Sequence, residues 1–108
     1  MLKSKAESYI GFCIKARKLT CGFNAIELQK KDIYLLLLCS TAAENAKKSA
    51  VKLQRKFGCE MLLVRGRTLE EITSKPNCKL AAVRDRNLAK AILSVNDDNF
   101  IKYSGGNI

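Results

Sequence analysis

The sequence predicts an α/β fold: one domain, built as a three-layer α/β/α sandwich around a mixed four-stranded sheet. Three observations predict it. Segments of helical and strand character alternate along the whole chain, and such alternation packs helices on both faces of a sheet. Ile33 to Cys39 is an unbroken apolar run of strand length, the pattern of a central strand covered on two sides. Finally, 108 residues make one domain of ordinary size, and no repeat, low-complexity tract or linker divides them.

Capping boxes place most of the helices. Ser4 with Glu7 opens the first, from Lys5 to about Ala16, where Ala6, Tyr9, Ile10, Cys13 and Ile14 recur at the spacing of one helical face. Lys18 to Gly22 is too short for a helix and reads as a brief strand ending at a glycine turn. A second, short helix is expected from Phe23 to Lys30, with Ala25, Ile26 and Leu28 available for packing. The strand Asp32 to Cys39 follows. Thr41 with Glu44 forms the second box and opens the longest helix, to about Phe57, with Gly58 as its stop. Ala43, Ala46, Ala50, Leu53 and Phe57 share one of its faces, and Lys47, Lys48, Lys52, Arg55 and Lys56 the opposite one.

Glu60 to Val64 is the next strand, leaving through Arg65-Gly66-Arg67. Thr68 with Glu71 is the third box and begins a short helix through Thr73. Lys75-Pro76-Asn77 breaks that helix, since proline cannot continue it. Lys79 to Arg84 is the fourth strand, and Asp85 caps a last helix through Ser94. The domain is expected to span residues 1–96. Residues 97–108 read as a tail, frayed at Ser104-Gly105-Gly106-Asn107, with Asp97 and Asp98 in a solvated turn and Phe100, Ile101 and Tyr103 available to dock.

Composition narrows the function. No apolar run approaches the ~20 residues of a membrane span, and the N-terminus is a polar-studded helix rather than a signal peptide, so a cytoplasmic protein is expected. Five cysteines at 13, 21, 39, 59 and 78 contain no Cys-x-x-Cys pair, and histidine is absent. That spacing fits neither zinc ligand sets nor a disulfide framework, and predicts reduced, mostly buried thiols. Cys21 stands out as the one placed in a loop and open to reaction. No metal or cofactor is expected.

Catalysis finds little support. The usual neutral-pH base is missing, as are the glycine-rich phosphate loops Gly-x-x-x-x-Gly-Lys and Gly-x-Gly-x-x-Gly. Glu70-Glu71 suits the first turn of a helix, and neither this pair nor Asp97-Asp98 converges on a substrate. A non-enzymatic protein is expected.

Charge points to binding instead. Twenty Lys and Arg against ten Asp and Glu give +10, and residues 1–56 hold twelve of the basic and four of the acidic groups. Such an excess favours polyanions through attraction and counterion release. Lys15, Arg17 and Lys18 end the first helix, where they either complement its dipole or contact phosphates. Gly22-Phe23-Asn24 starts the second helix, whose free N–H groups suit an anion. Asn24 there either caps the helix or pairs with a base edge. The basic face of the longest helix reads as a solvated surface. Arg65, Arg67 and the stretch Ser74 to Asn77 lie in loops at strand or helix ends, where binding sites are common.

Taken in order, these pieces resemble the bacterial branch of the kink-turn-binding ribosomal-protein superfamily over residues 4–93. Ile10-Gly11-Phe12 with Ala16-Arg17-Lys18-Leu19-Thr20-Cys21-Gly22 is similar to that branch's helix, basic turn and glycine. Ile33 to Ser40 with Ala43-Glu44-Asn45-Ala46-Lys47-Lys48 is similar to its buried strand and next helix. Leu62-Leu63-Val64 with Thr68-Leu69-Glu70-Glu71-Ile72, and Ala81-Ala82-Val83-Arg84-Asp85 with Leu88-Ala89-Lys90-Ala91-Ile92, match the later strands and helices.

The resemblance implies binding to structured RNA, often kink-turns and often in ribosomal or other ribonucleoprotein particles. In the family, RNA meets the start of the second helix and the loop before the last strand. The superfamily motif there is Gly-Thr-Asn-Glu-x-x-Lys. Gly22 and Asn24 match it, while Phe23, Ala25 and Leu28 replace its threonine, glutamate and lysine. The implied site places Gly22 and Asn24 against RNA, with Phe23 and Ala25 shaping the pocket. Lys15, Arg17 and Lys18 are assigned to phosphates, and Ser74, Lys75 and Asn77 flank the site. A protein-interaction module on the same fold, with charge serving solubility, is the alternative.

Overall fold

In a computed structural model, which describes residues 4–29 and 31–103, the ten elements run α1 (Lys5–Lys15), β1 (Leu19–Cys21), α2 (Phe23–Glu27), β2 (Leu35–Cys39), α3 (Glu44–Phe57), β3 (Glu60–Val64), α4 (Leu69–Thr73), β4 (Leu80–Val83), α5 (Arg86–Ser94) and β5 (Phe100–Lys102). The sheet has five strands rather than four, in the order β1-β4-β2-β3-β5. Only β2 and β3 are parallel, with Leu35 opposite Glu60 and Cys39 opposite Val64; every other pairing is antiparallel.

The fifth strand comes from the expected tail. Val64, Leu63 and Leu62 pair with Phe100, Ile101 and Lys102, and Phe100 is buried. An Asx turn brings the chain back: the Asp97 carboxylate accepts from the Asn99 amide at 2.9 Å and the Asp97 carbonyl from the Phe100 amide at 3.0 Å. Gly66 faces this turn so closely that a Cβ there would meet the Asn99 side chain at 2.8 Å. The division at residue 96 therefore cuts through the sheet's architecture. The expected fraying of residues 104–107 lies outside the described residues.

Strand β2 organises the core. All five of its residues are buried, and their alternation sorts the interior into two clusters. Leu35, Leu37 and Cys39 pack with Ala6, Ile10 and Cys13 of α1, Leu69 of α4, and Ala89 and Ile92 of α5. Leu36 and Leu38 pack with Ile26 of α2 and with Ala50 and Leu53 of α3. An apolar run with no polar alternation thus does what its composition dictates, filling both faces of a central strand.

Helix ends follow local chemistry at α4 and α5 and depart from it, in part at α1 and wholly at the start of α3. Ser4 accepts from the Glu7 amide at 3.2 Å, but the Glu7 carboxylate turns away to Arg67 at 2.6 Å instead of closing a box. Thr68 and Glu71 form the full reciprocal box, at 3.1 Å and 2.9 Å. Asp85 caps α5 through the Leu88 amide at 2.9 Å, and Gly58 ends α3 with a left-handed φ of 64°. The box expected at Thr41 and Glu44 is absent. Helix α3 is capped by Ala43 without a side-chain bond, because Thr41 belongs to the preceding turn and its hydroxyl is engaged by Cys39 and Lys79.

Candidate nucleic-acid interface

Strand directions decide which predicted residues can meet. β1 and β2 both run antiparallel to β4, and β3 runs parallel to β2, so the carboxyl ends of β1, β2 and β3 share one edge of the sheet. That edge gathers Gly22-Phe23-Asn24, the turn after Cys39, the Arg65–Thr68 loop and the 74–78 segment leading into β4. Crevices at the carboxyl ends of strands are the usual ligand position in open α/β sheets.

At its β1 corner, Gly22 and the 74–78 loop form one site. Gly22 donates its amide to the Leu80 carbonyl at 2.8 Å, and it lines a cavity of about 360 Å3 together with Lys75, Pro76, Asn77, Cys21 and Cys78. The loop is bent sharply: Ser74 and Asn77 hold left-handed φ values of 60° and 56°, a conformation asparagine tolerates better than most residues. Ser74, Lys75 and Asn77 are all exposed. Gly22 itself sits at φ 96°, ψ 144°, a region that residues with a Cβ rarely occupy.

Around the corner, Phe23 and Asn24 open into a groove of about 540 Å3 between α2 and α3, walled by Asn45, Ser49, Lys52 and Leu53. The capping alternative for Asn24 is set aside by the geometry. Gly22 is the N-cap of α2 with no side-chain bond, whereas Asn24 lies inside the helix, exposed, and its side chain makes no hydrogen bond among the described residues. Ala25 is exposed beside it. Helix α2 spans five residues instead of the expected eight, too few for a sustained helix dipole, so the anion argument at its start loses most of its force. Leu28 follows it as the most exposed large apolar side chain described, at 80%.

The basic trio stands apart. Lys18 precedes β1 and Gly22 follows it, so four strand steps, roughly 13 Å, separate them. Lys15 and Arg17 lie farther back on the Lys18 side, where Arg17 adopts a left-handed φ of 59° and its carbonyl accepts from Arg84 at 2.6 Å. Lys15, Arg17 and Lys18 therefore do not join Gly22, Asn24 and the 74–78 loop in one pocket.

A polar cluster at the same carboxyl edge was not singled out from sequence. Lys79 bridges to Glu70 at 2.9 Å and donates to Thr41 at 3.0 Å. Their mutual hydrogen bond holds Glu70 below the ordinary carboxylate value and Lys79 above the ordinary amine value. Cys39 sits beneath, its sulfur 3.0 Å from the Thr41 hydroxyl and accepting from the Leu69 amide at 3.4 Å. The only sequence sign of this arrangement is the i,i+9 placement of Glu70 and Lys79 across a proline turn, which carries no periodic signal.

The cysteines are free thiols. Burial raises Cys13 and Cys59 to about 11. Cys21 closes β1, half-buried, instead of lying in an open loop. Among the described residues no three His, Cys, Asp or Glu side chains converge as a metal site.

The chain matches no protein-family model and no curated protein. Its fold has a counterpart: a Bacillus halodurans protein described as having unknown function superposes with a TM-score of 0.70 at 21% identity, covering 84% of this chain and 95% of the other. At that identity the likeness establishes the mixed α/β fold and nothing further. No helix among the described residues is long and apolar enough to cross a membrane.

Proposed function

We propose that this chain is a non-enzymatic RNA-binding module that grips structured RNA of the kink-turn class, acting in the cytoplasm within a ribosomal or other ribonucleoprotein particle. The observation that carries the reading is that the corner lined by Gly22 with exposed Lys75 and Asn77 adjoins, across the start of α2, the groove that exposed Asn24 opens into. The Asn77 amide in the corner and the Asn24 amide in the adjoining groove supply base-edge donors and acceptors, and Lys75 supplies phosphate attraction, on a protein of net charge +10. The family resemblance places RNA at these same two segments. We read the fold as three layers, with α1, α4 and α5 on one face of the sheet and α2 and α3 on the other.

Binding to a labelled kink-turn RNA, and to a control lacking its tandem G·A pairs, tests this at two salt concentrations. Preference for the kink-turn supports the reading. Equal, salt-sensitive binding reduces it to general RNA affinity, and absence of binding refutes it. One observation favours a protein-interaction module instead: Leu28 and Phe12 expose large apolar surfaces, at 80% and 52%. Recovery with a stoichiometric protein partner and no nucleic acid would select that second reading.

A further inference from the structure

Cys21 and Cys78 are brought together by the β1–β4 pairing. Cys21 ends β1 opposite Ala81, and the next residue, Gly22, donates to the Leu80 carbonyl at 2.8 Å. The Cys78 thiol points at that same carbonyl from 3.8 Å. Both cysteines line the corner cavity and belong to the same apolar cluster, and each thiol is the largest influence on the other's acidity.

No other cysteine is placed this way. Cys13 is fully buried on the inner face of α1, Cys39 is fully buried and engaged by Thr41 and the Leu69 amide, and Cys59 lies on the far cluster beside α3. We propose that Cys21 and Cys78 are a dithiol oxidised by small peroxides to a disulfide, which fastens the 74–78 loop to the β1–α2 corner.

The chemistry balances with hydrogen peroxide as the oxidant. A thiolate attacks one peroxide oxygen, forming a sulfenic acid and releasing hydroxide, which becomes water with the displaced proton. The second thiol then attacks that sulfur, the S–S bond forms, and a second water leaves; two thiols are oxidised and one peroxide is reduced. Cys78 supplies the thiolate. A hydrogen bond from Cys21 holds it below the ordinary thiol value, with help from the Thr73 hydroxyl and the Lys75 ammonium, while burial and Glu70 oppose. Cys21 keeps its proton, raised first by the bond to Cys78 and then by burial. The pair thus parts with one proton readily and holds the other. Peroxide is small enough for a site whose Cys78 is 2% exposed. None of this requires RNA.

Peptide mapping of the reduced full chain after mild peroxide treatment tests the proposal, because trypsin leaves each of the five cysteines in a different peptide. The expected result is a link between the Leu19–Lys30 and Thr68–Lys79 peptides, a loss of two of the five titratable thiols, and reversal by dithiothreitol. Cys59→Ser should give the same link, and Cys21→Ser should give none. The treatment repeated in guanidinium should scatter links among other pairs. Links dominated by Cys59, links between chains, or sulfinic acid without a 21–78 link would each overturn the proposal. Should Cys78→Ser fold poorly, the wild-type map and Cys21→Ser decide the matter alone.

Discussion

Alanine at Gly22 and at Gly11 is the same chemical change with opposite expected signs. A Cβ at either position meets no atom within 4 Å, so neither substitution creates a clash and only the backbone term remains. Gly22 holds φ 96°, ψ 144°, a region that costs a residue with a Cβ about 1–3 kcal/mol. Restricting the unfolded chain returns about 0.4–1 kcal/mol. Gly22→Ala should therefore destabilise by about 1–2 kcal/mol. Gly11 lies within α1, where replacing glycine by alanine stabilises by about 0.5–1 kcal/mol.

With an unfolding entropy of about 2.1 cal/mol/K per residue, each kcal/mol moves the midpoint by roughly 4 °C in a chain of this length. Thermal unfolding followed by circular dichroism should show Gly22→Ala lowered by roughly 4–9 °C and Gly11→Ala raised by roughly 2–4 °C. A neutral Gly22→Ala would mean that the chain does not turn through this region between β1 and α2. A fall for Gly11→Ala as large as that for Gly22→Ala would refute the separation of backbone strain from packing.

Three further outcomes are expected. Asn24→Ala should weaken binding to a kink-turn RNA by about 1–3 kcal/mol in a titration, since Asn24 is not the helix cap and its side chain bonds to none of the described residues. Lys75→Ala should reduce the salt slope of binding by about one while Lys18→Ala, on the far side of β1, leaves the kink-turn preference intact. Glu70→Gln bears on pH. Glu70's folded value lies below 4.5, so its contribution is present above 4.5 and is lost as pH falls through the folded value. Melting points measured from neutral pH into acid should therefore fall less steeply in Glu70→Gln than in the parent, and identical slopes would remove the Glu70–Lys79 bridge from the stability account.

What the sequence revealed depended on the range of the interaction. Thr68-x-x-Glu71 and Asp85 cap as expected because the partners sit three residues apart and nothing else competes for them. Thr41 fails as a cap because Lys79, distant in sequence, takes its hydroxyl. The same limit hid β5: three residues are too short for a periodic pattern, and Phe100-Ile101-Lys102 becomes a strand only because β3 offers it an edge. The burial of β2 on both faces was legible because a run of leucines leaves no other outcome. At the candidate site, Gly22 and Asn24 were recognisable one by one. Their company was not, since the separation of Lys18 from Gly22 follows from strand direction, a property of the assembled sheet.

The short strands at the two margins have a consequence for the order of events in synthesis. β1 and β5 are each three residues long and lie at opposite margins, so neither presents a long open ladder to a second molecule. Strand β3 is another matter until its last neighbour exists. Met61 to Val64 is apolar, and one side of it stays bare until residue 100 has been made and has left the exit tunnel. For some forty residues of elongation the nascent chain carries a sticky seam, which Phe100-Ile101-Lys102 then seals from within the same molecule.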